Sequence, residues 1–310
     1  MNLSIEQTAL VCVYLSSVEN KERRPLYKDE KADEIVEKLE KSHLKLDINQ
    51  DKFWLNPNYY GMLASRFRNI FPIRNHWSDL KINQFLEKYG QESPLIVEFG
   101  CGLDTRFYRM NFEKRGVKHL LIDLPTIVDL RKKHFNETED ITSNPRLLAI
   151  SACDIEDWSM KIEEMCVKSN GKSQPILFVG LAIFFFLDAD KVKKIFKFIS
   201  ETYTQNHSHC ELIIDTISQH VIARGELLNE ATNGMKWTLQ PEENPFKEIY
   251  ENDQNVSIKN YDTKNVFKAC RDLYEERMTA ENFKKWEESI GQEFLDYEGY
   301  DLHHLVFERT

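Results

Sequence analysis

Five apolar runs of strand length mark the middle of the chain: "LIVEF" at 95–99, "HLLID" at 119–123, "RLLAI" at 146–150, "ILFVGL" at 176–181 and "ELIID" at 211–215. They are nearly continuous in apolar side chains, as strands covered on both faces are. Helical patterns lie between them, over roughly 104–115, 125–135, 156–168 and 188–204. A chain that alternates these two periods builds a doubly wound, mostly parallel α/β sheet. Asp188, just ahead of "ADKVKKIFKFISETY", is placed to cap the last of these helices.

About 90 residues precede the first strand. "IEQTALVCVYLSSVEN", "DEKADEIVEKLEKS" and "WSDLKINQFLEKYG" all carry helical periodicity, which predicts a helical extension over 1–90 ahead of a main domain over 91–310. Past residue 216, helices are expected near 219–232, 263–275 and 280–291, within a helical cap inserted around 219–300. "LHHLVFER" at 302–309 reads as a final strand. With 310 residues, 41% of them hydrophobic, the chain can bury a sizeable core.

Charge narrows the partners. The net charge is −10, and the densest basic stretches, 21–24 and 191–198, are short. Phosphate backbones bind through clustered Lys and Arg, so nucleic acid is not an expected partner. Six cysteines at 12, 101, 153, 166, 210 and 270 form no CxxC pair, which suits reduced thiols. No Cys or His pairs fall at metal-ligand spacing, so no metal is expected; His207/His209 and His303–His304 come nearest. "TALVCVYLSS" is apolar, yet Glu6 precedes it and "ENKERR" follows, the reverse of secretory-signal flanks. No run approaches the roughly 20 apolar residues of a spanning helix. The expectation is a cytoplasmic chain that does not engage a membrane. Nothing in the sequence speaks to oligomeric state.

The first strand runs directly into "GCGLDTRFYR". In an open parallel sheet, ligands bind beyond the carboxyl ends of the strands, where Gly100 and Gly102 fall. Without a Cβ, such a turn lets a ligand lie against the backbone. The second strand ends on Asp123, placed to accept from both hydroxyls of a ribose. After the third strand, Asp154 is placed to meet the exocyclic amine of an adenine and Ile155 to pack on its ring. Three strand ends therefore describe an adenosine site. A dinucleotide would call for GxGxxG, but Thr105 stands at the third glycine, and Glu98 and Asp104 would repel a pyrophosphate. The sulfonium and ammonium of S-adenosylmethionine suit those acids instead. Helix capping remains a competing reading for Asp123, ahead of Pro125, and for Asp154.

"VEFGCGLDTRFYR" followed by "LIDLPTIVDLRKKHF" resembles the leucine carboxyl methyltransferase superfamily, and within it the small-molecule branch typified by the tetracenomycin polyketide O-methyltransferase. Most of the chain takes part. "YLSSVENKERRPLYKDEKADEIVEKL", "RNHWSDLKINQFL", "ELIIDTIS", "KWTLQPEENPFKE" and the terminal "HHLVFER" all have family counterparts. The resemblance implies a seven-stranded class I methyltransferase fold with S-adenosylmethionine as cofactor. Under it, Arg74 pairs with the methionine carboxylate and Lys28 is a second cofactor contact. Gly100 forms the cradle, Asp123 holds the ribose, and Asp154 with Ile155 holds the adenine. Arg106 braces the loop through Asp104 or Glu98. One stretch departs: where family members carry a sequence like "AEGVLMYL", this chain has "GLAIFFFL". Leu181 then stands in place of a glutamate and Phe186 in place of a tyrosine.

The function expected is methyl transfer to a carboxylate or hydroxyl of a small or carrier-bound, polyketide-like acid. A carboxylate acceptor needs no general base, whereas a hydroxyl does; His119 and His220 are the histidines to consider. Two alternatives stand beside it. One is a catalytically impaired descendant that binds a metabolite or partner, and the other an NAD-dependent oxidoreductase. Cys101 reads as a small buried filler, and "FVGLAIFFFL" as core with one ring of Phe184–Phe186 facing the pocket.

Overall fold

The computed structural model describes residues 5–41, 57–140, 142–166, 168–169, 172–219, 236–239, 246, 250, 255–286, 288 and 299–310. All five apolar runs form strands: β1 Leu95–Phe99, β2 Lys118–Asp123, β3 Arg146–Ala149, β4 Ile176–Gly180 and β5 Cys210–Ile217. With β6 Val256–Asn265 and β7 Tyr300–Arg309 they make one seven-stranded sheet in the order β3-β2-β1-β4-β5-β7-β6. β1 to β5 pair in parallel, and β7 runs antiparallel to both of its neighbours. The mostly parallel α/β architecture expected from the alternating pattern is the one observed.

Continuous apolar strands are explained by what covers them. Leu95, Val97 and Phe99 pack on α6 (Ile155–Met165) and α7 (Ala189–Phe198) through Trp158, Ile162, Ile195 and Phe196. On the opposite face, Ile96, Val179 and Ile213 meet α3 (Pro57–Tyr89) and α8 (Val266–Arg277). A smaller core joins α1 (Ile5–Asn20) and α2 (Glu30–Lys41) to Leu103 and to Ile127 and Phe135 of α5 (Pro125–Phe135). The opening helices are thereby set beside the glycine turn. No helix among the described residues is long and apolar enough to cross a membrane.

Several elements differ from the sequence expectation. The helix expected over 104–115 shrinks to α4, Arg106–Arg109, because Asn111 (φ 54°) takes a left-handed conformation just past its end. The edge strand β6 replaces the start of the expected 263–275 helix. Its half-exposed "VSIKNYDTKN" buries too little to read as a strand. Helix α8 begins only where Asn265 accepts the Lys268 N–H at 2.9 Å. Asp188 does precede α7, but its carboxylate pairs with Lys236 (3.2 Å) and Lys191 (3.5 Å) and makes no capping bond. The helix near 219–232 and most of 287–298 lie outside the described residues, as does His220.

Candidate functional site

Because β3, β2 and β1 are neighbours, their carboxyl ends bring the glycine turn, Asp123 and Asp154 to one edge. Gly100 and Gly102 have φ of +61° and +50°, a region that L side chains rarely adopt. The two glycines face different surroundings. A Cβ on Gly100 would lie 2.8 Å from Ile183, whereas one on Gly102 would meet, among the described residues, only Ala9, at 3.8 Å. Gly100 is thus required by the packing of the β4 loop, and the open backbone cradle is at Gly102.

Asp123 Oδ2 accepts the Gly102 N–H at 2.7 Å and Oδ1 accepts the Leu124 N–H at 2.7 Å. Leu124 is the N-cap of α5, and no side chain caps that helix. Asp123 therefore holds the turn instead of the helix, with its carboxylate partly open to solvent. Burial raises its pKa, against the two N–H donors. Asp154 occupies the N-cap position of α6 without bonding it; its exposed carboxylate accepts the Ser151 N–H at 3.1 Å. Ile155, partly buried, packs against the Trp158 core.

Glu98 and Asp104 have a different placement from the one expected. Glu98 is buried on the α3 face, where Arg106 donates to it at 2.6 Å and His119 Nε2 lies 3.2 Å away. Asp104 accepts from Arg109 at 2.7 Å and sits 3.2 Å from Arg106. Burial pushes the Asp104 carboxyl up, but the two guanidiniums outweigh it and hold the group below the usual carboxylate range. Both acids face arginines within the fold, and Arg106 braces the loop through both, as the resemblance implies. Asp79 and Asp29 complete the cluster. Asp79 receives both arginines, and Asp29 accepts from Thr105 Oγ1 while also accepting the Ala32 N–H at the start of α2. Arg131 ties α5 to the same turn by donating to the carbonyls of Gly102 (3.1 Å) and Asp104 (2.8 Å). His119 is enclosed by Phe107 and Phe112, with its Nε2 beside Glu98.

The two basic residues diverge. Arg74, buried on α3, lies 3.8 Å from Asp215 at the carboxyl end of β5, and its Nε finds no acceptor among the described residues. Asp215 is itself fully buried and accepts from Tyr300 (3.0 Å) and from the Ala182 N–H (2.8 Å). Burial raises its pKa despite Arg74 alongside, as befits an ion pair of that length. Lys28 instead points outward, and its Nζ donates to the Asn20 carbonyl at 2.9 Å. Asp215 and Tyr300 went unnoticed in the sequence. An acid at a strand's carboxyl end was the available signal, the same one that marks Asp123.

The departing stretch has a physical consequence. Leu181 is buried in the α3-side core, and Phe186 is 37% exposed. Ala182 takes φ +57° where the family's "AEGV" has glycine, a conformation that costs an L residue about 1 kcal/mol or more. Ala182→Gly should therefore raise the unfolding free energy by up to about 1 kcal/mol, net of the chain entropy glycine adds. Urea denaturation of the two proteins measures this, and a loss of stability would show that the loop carries no such strain.

A sheet of this order, with one antiparallel strand and a glycine turn beside acid-tipped strands, defines a class I methyltransferase fold. Residues 9–200 match the profile of the leucine carboxyl methyltransferase family, and the chain belongs to that family. The family's cofactor is S-adenosylmethionine. A search of curated proteins finds no match. Among solved structures, a DUF574-family protein from Streptomyces avermitilis is similar at 11% identity and TM-score 0.50, over 98% of this chain and 97% of that one. An O-methyltransferase of a trans-AT polyketide synthase from Brevibacillus brevis is similar at 11% identity and TM-score 0.41, over 82% and 77%. At 11% identity the likeness to the DUF574-family protein speaks to the fold alone.

The residues present fit the cofactor. Among the described residues only Ala9 approaches the Gly102 backbone, Asp123 is partly exposed and Asp154 exposed, and the buried Nε–H of Arg74 finds no acceptor.

Proposed function

We propose that this chain transfers the methyl group of S-adenosylmethionine to an oxygen of a small or carrier-bound organic acid. The observation that carries this is Asp123: a partly exposed carboxylate at the end of β2 that binds the glycine turn and leaves the neighbouring helix uncapped. When bound, the cofactor supplies a methyl group already activated by its sulfonium. The chain's part is to hold and align. Asp123 accepts ribose hydroxyls, Asp154 and Ile155 take the adenine, and Arg74 Nε meets the methionine carboxylate. The turn cluster sets four carboxylates (Glu98, Asp104, Asp79, Asp29) against two guanidiniums, a surplus of negative charge that favours a cationic ligand. A carboxylate acceptor is nucleophilic at neutral pH, so alignment and exclusion of water are sufficient.

Two experiments address this reading. Incubating the protein with methyl-labelled S-adenosylmethionine and a panel of carboxylic and hydroxy acids should give a labelled ester or ether by mass spectrometry. Asp123→Asn should weaken S-adenosylhomocysteine binding about 10–100-fold, the range for losing charge-assisted hydrogen bonds. The melting temperature should change little, since the amide oxygen can still accept one N–H. Unchanged affinity would remove Asp123 from the site.

Leu181 favours a second reading, in which a metabolite is bound but nothing is methylated. Its burial leaves an apolar side chain where the family carries an acid. Tight S-adenosylhomocysteine binding without turnover on any acceptor would select it.

A further inference from the structure

At the opposite, amino-terminal end of the sheet, three side chains from distant parts of the sequence converge. Glu163 lies on the last turn of α6, Cys166 just after it, and His207 shortly before β5. One ligand atom from each falls within 4.8 Å of the other two. His207 Nδ1 lies 2.6 Å from the buried Gln174 carbonyl, a contact only an Nδ1–H can make. That fixes the tautomer and leaves the Nε2 lone pair directed at Cys166 Sγ, 3.8 Å away. Metal-ligating histidines are characteristically oriented in this way by a backbone carbonyl on the far nitrogen.

A second observation points to the same place. Tyr203 is fully buried, its ring 5.1 Å from that of His207, and its hydroxyl has no hydrogen-bond partner among the described residues. An unsatisfied buried O–H is costly unless something accepts from it.

We propose that Glu163, Cys166 and His207 form a zinc site that staples the end of α6 to the approach of β5, with the Tyr203 hydroxyl donating to the ion's water or to Glu163. Thiolate, imidazole and carboxylate together are a zinc donor set. On a tetrahedral ion, sulfur and nitrogen ligands stand about 3.5 Å apart, so the 3.8 Å between Cys166 and His207 needs little adjustment. Glu163 is exposed and free to swing inward, and Cys166 is partly open, which gives the ion access from solvent. Sequence spacing did not reveal the site because the sheet, not a local motif, joins residues 166 and 207.

The test is metal titration of the full chain after chelator treatment. Zinc alone, in competition with a chromophoric chelator, should bind at about one ion per chain and raise the melting temperature. Cobalt should give a thiolate-to-metal charge-transfer band and d–d bands of tetrahedral intensity. Cys166→Ser should abolish the charge-transfer band, while Cys153→Ser should keep it. Wild-type protein without a cobalt–thiolate band, or with a band that survives Cys166→Ser, would overturn the proposal. The wild-type spectrum decides the matter even if the Cys166 variant folds poorly. S-adenosylhomocysteine affinity should be the same with and without zinc, since the crevice lies at the other end of the strands.

Discussion

Replacing Arg106 with alanine is expected to destabilise the fold by about 3–5 kcal/mol, the range for stranding buried charges by removing their partner. Arg106 is 0% exposed and bonds Glu98 (2.6 Å), Asp79 (3.0 Å) and Ser78 (3.1 Å), with Asp104 at 3.2 Å. Arg109 keeps Asp104 and Asp79 partnered in the variant, so the penalty falls mainly on Glu98, left with His119. Lysine should restore only part of the loss, because a single ammonium has no planar fork to span three acceptors. The deficit also has a pH signature. Glu98 and Asp104 both titrate below their ordinary values in the folded protein: burial acts against this, but Arg106 prevails. Their contribution to stability is present above the unfolded carboxylate pKa and is lost as pH falls through the folded one. The gap between wild type and Arg106→Ala should therefore be widest near neutrality and narrow in acid. Urea titrations across pH measure it; a loss below about 1 kcal/mol at pH 7 would mean the cluster is screened by solvent.

The second large effect is expected at Asp215. Alanine there removes the acceptor for Tyr300 and for the Ala182 N–H and leaves Arg74 facing no carboxylate. A loss of about 3–5 kcal/mol follows from the same reasoning. Asp215→Asn keeps one acceptor and should cost less. These variants also separate two roles for Arg74. If Arg74 meets the methionine carboxylate, S-adenosylhomocysteine should stabilise Asp215→Ala against heat more than it stabilises wild type, since the ligand supplies the missing anion. 5′-Deoxyadenosine, which has no carboxylate, should show no such excess. Equal stabilisation by both ligands would assign Arg74 to the fold alone.

What the sequence disclosed, and what it hid, follows from how each feature is encoded. The five parallel strands, β3 at the far edge included, were legible because burial on both faces demands unbroken apolar runs. Edge strand β6 was not, since one exposed side lets Ser257, Lys259, Asn260 and Asp262 interrupt the pattern. The placement of Asp123 and Asp154 was legible by position, because each stands at or just beyond a strand's carboxyl end on the edge that carries the glycine turn. Glu98 occupies a strand end too, but alternation sends its side chain to the α3 face, where Arg106 from the turn that follows pairs with it. Arg74 was visible only through family resemblance. Its partner Asp215 was absorbed into the reading of "ELIID" as strand.

The most direct test of the account is calorimetric titration of the purified chain with S-adenosylhomocysteine, followed by the same titration with NAD. One ligand bound per chain, weakened by Asp123→Asn and with no response to NAD, is the predicted result. Heat with NAD and none with S-adenosylhomocysteine would contradict it and return the glycine turn to a different nucleotide.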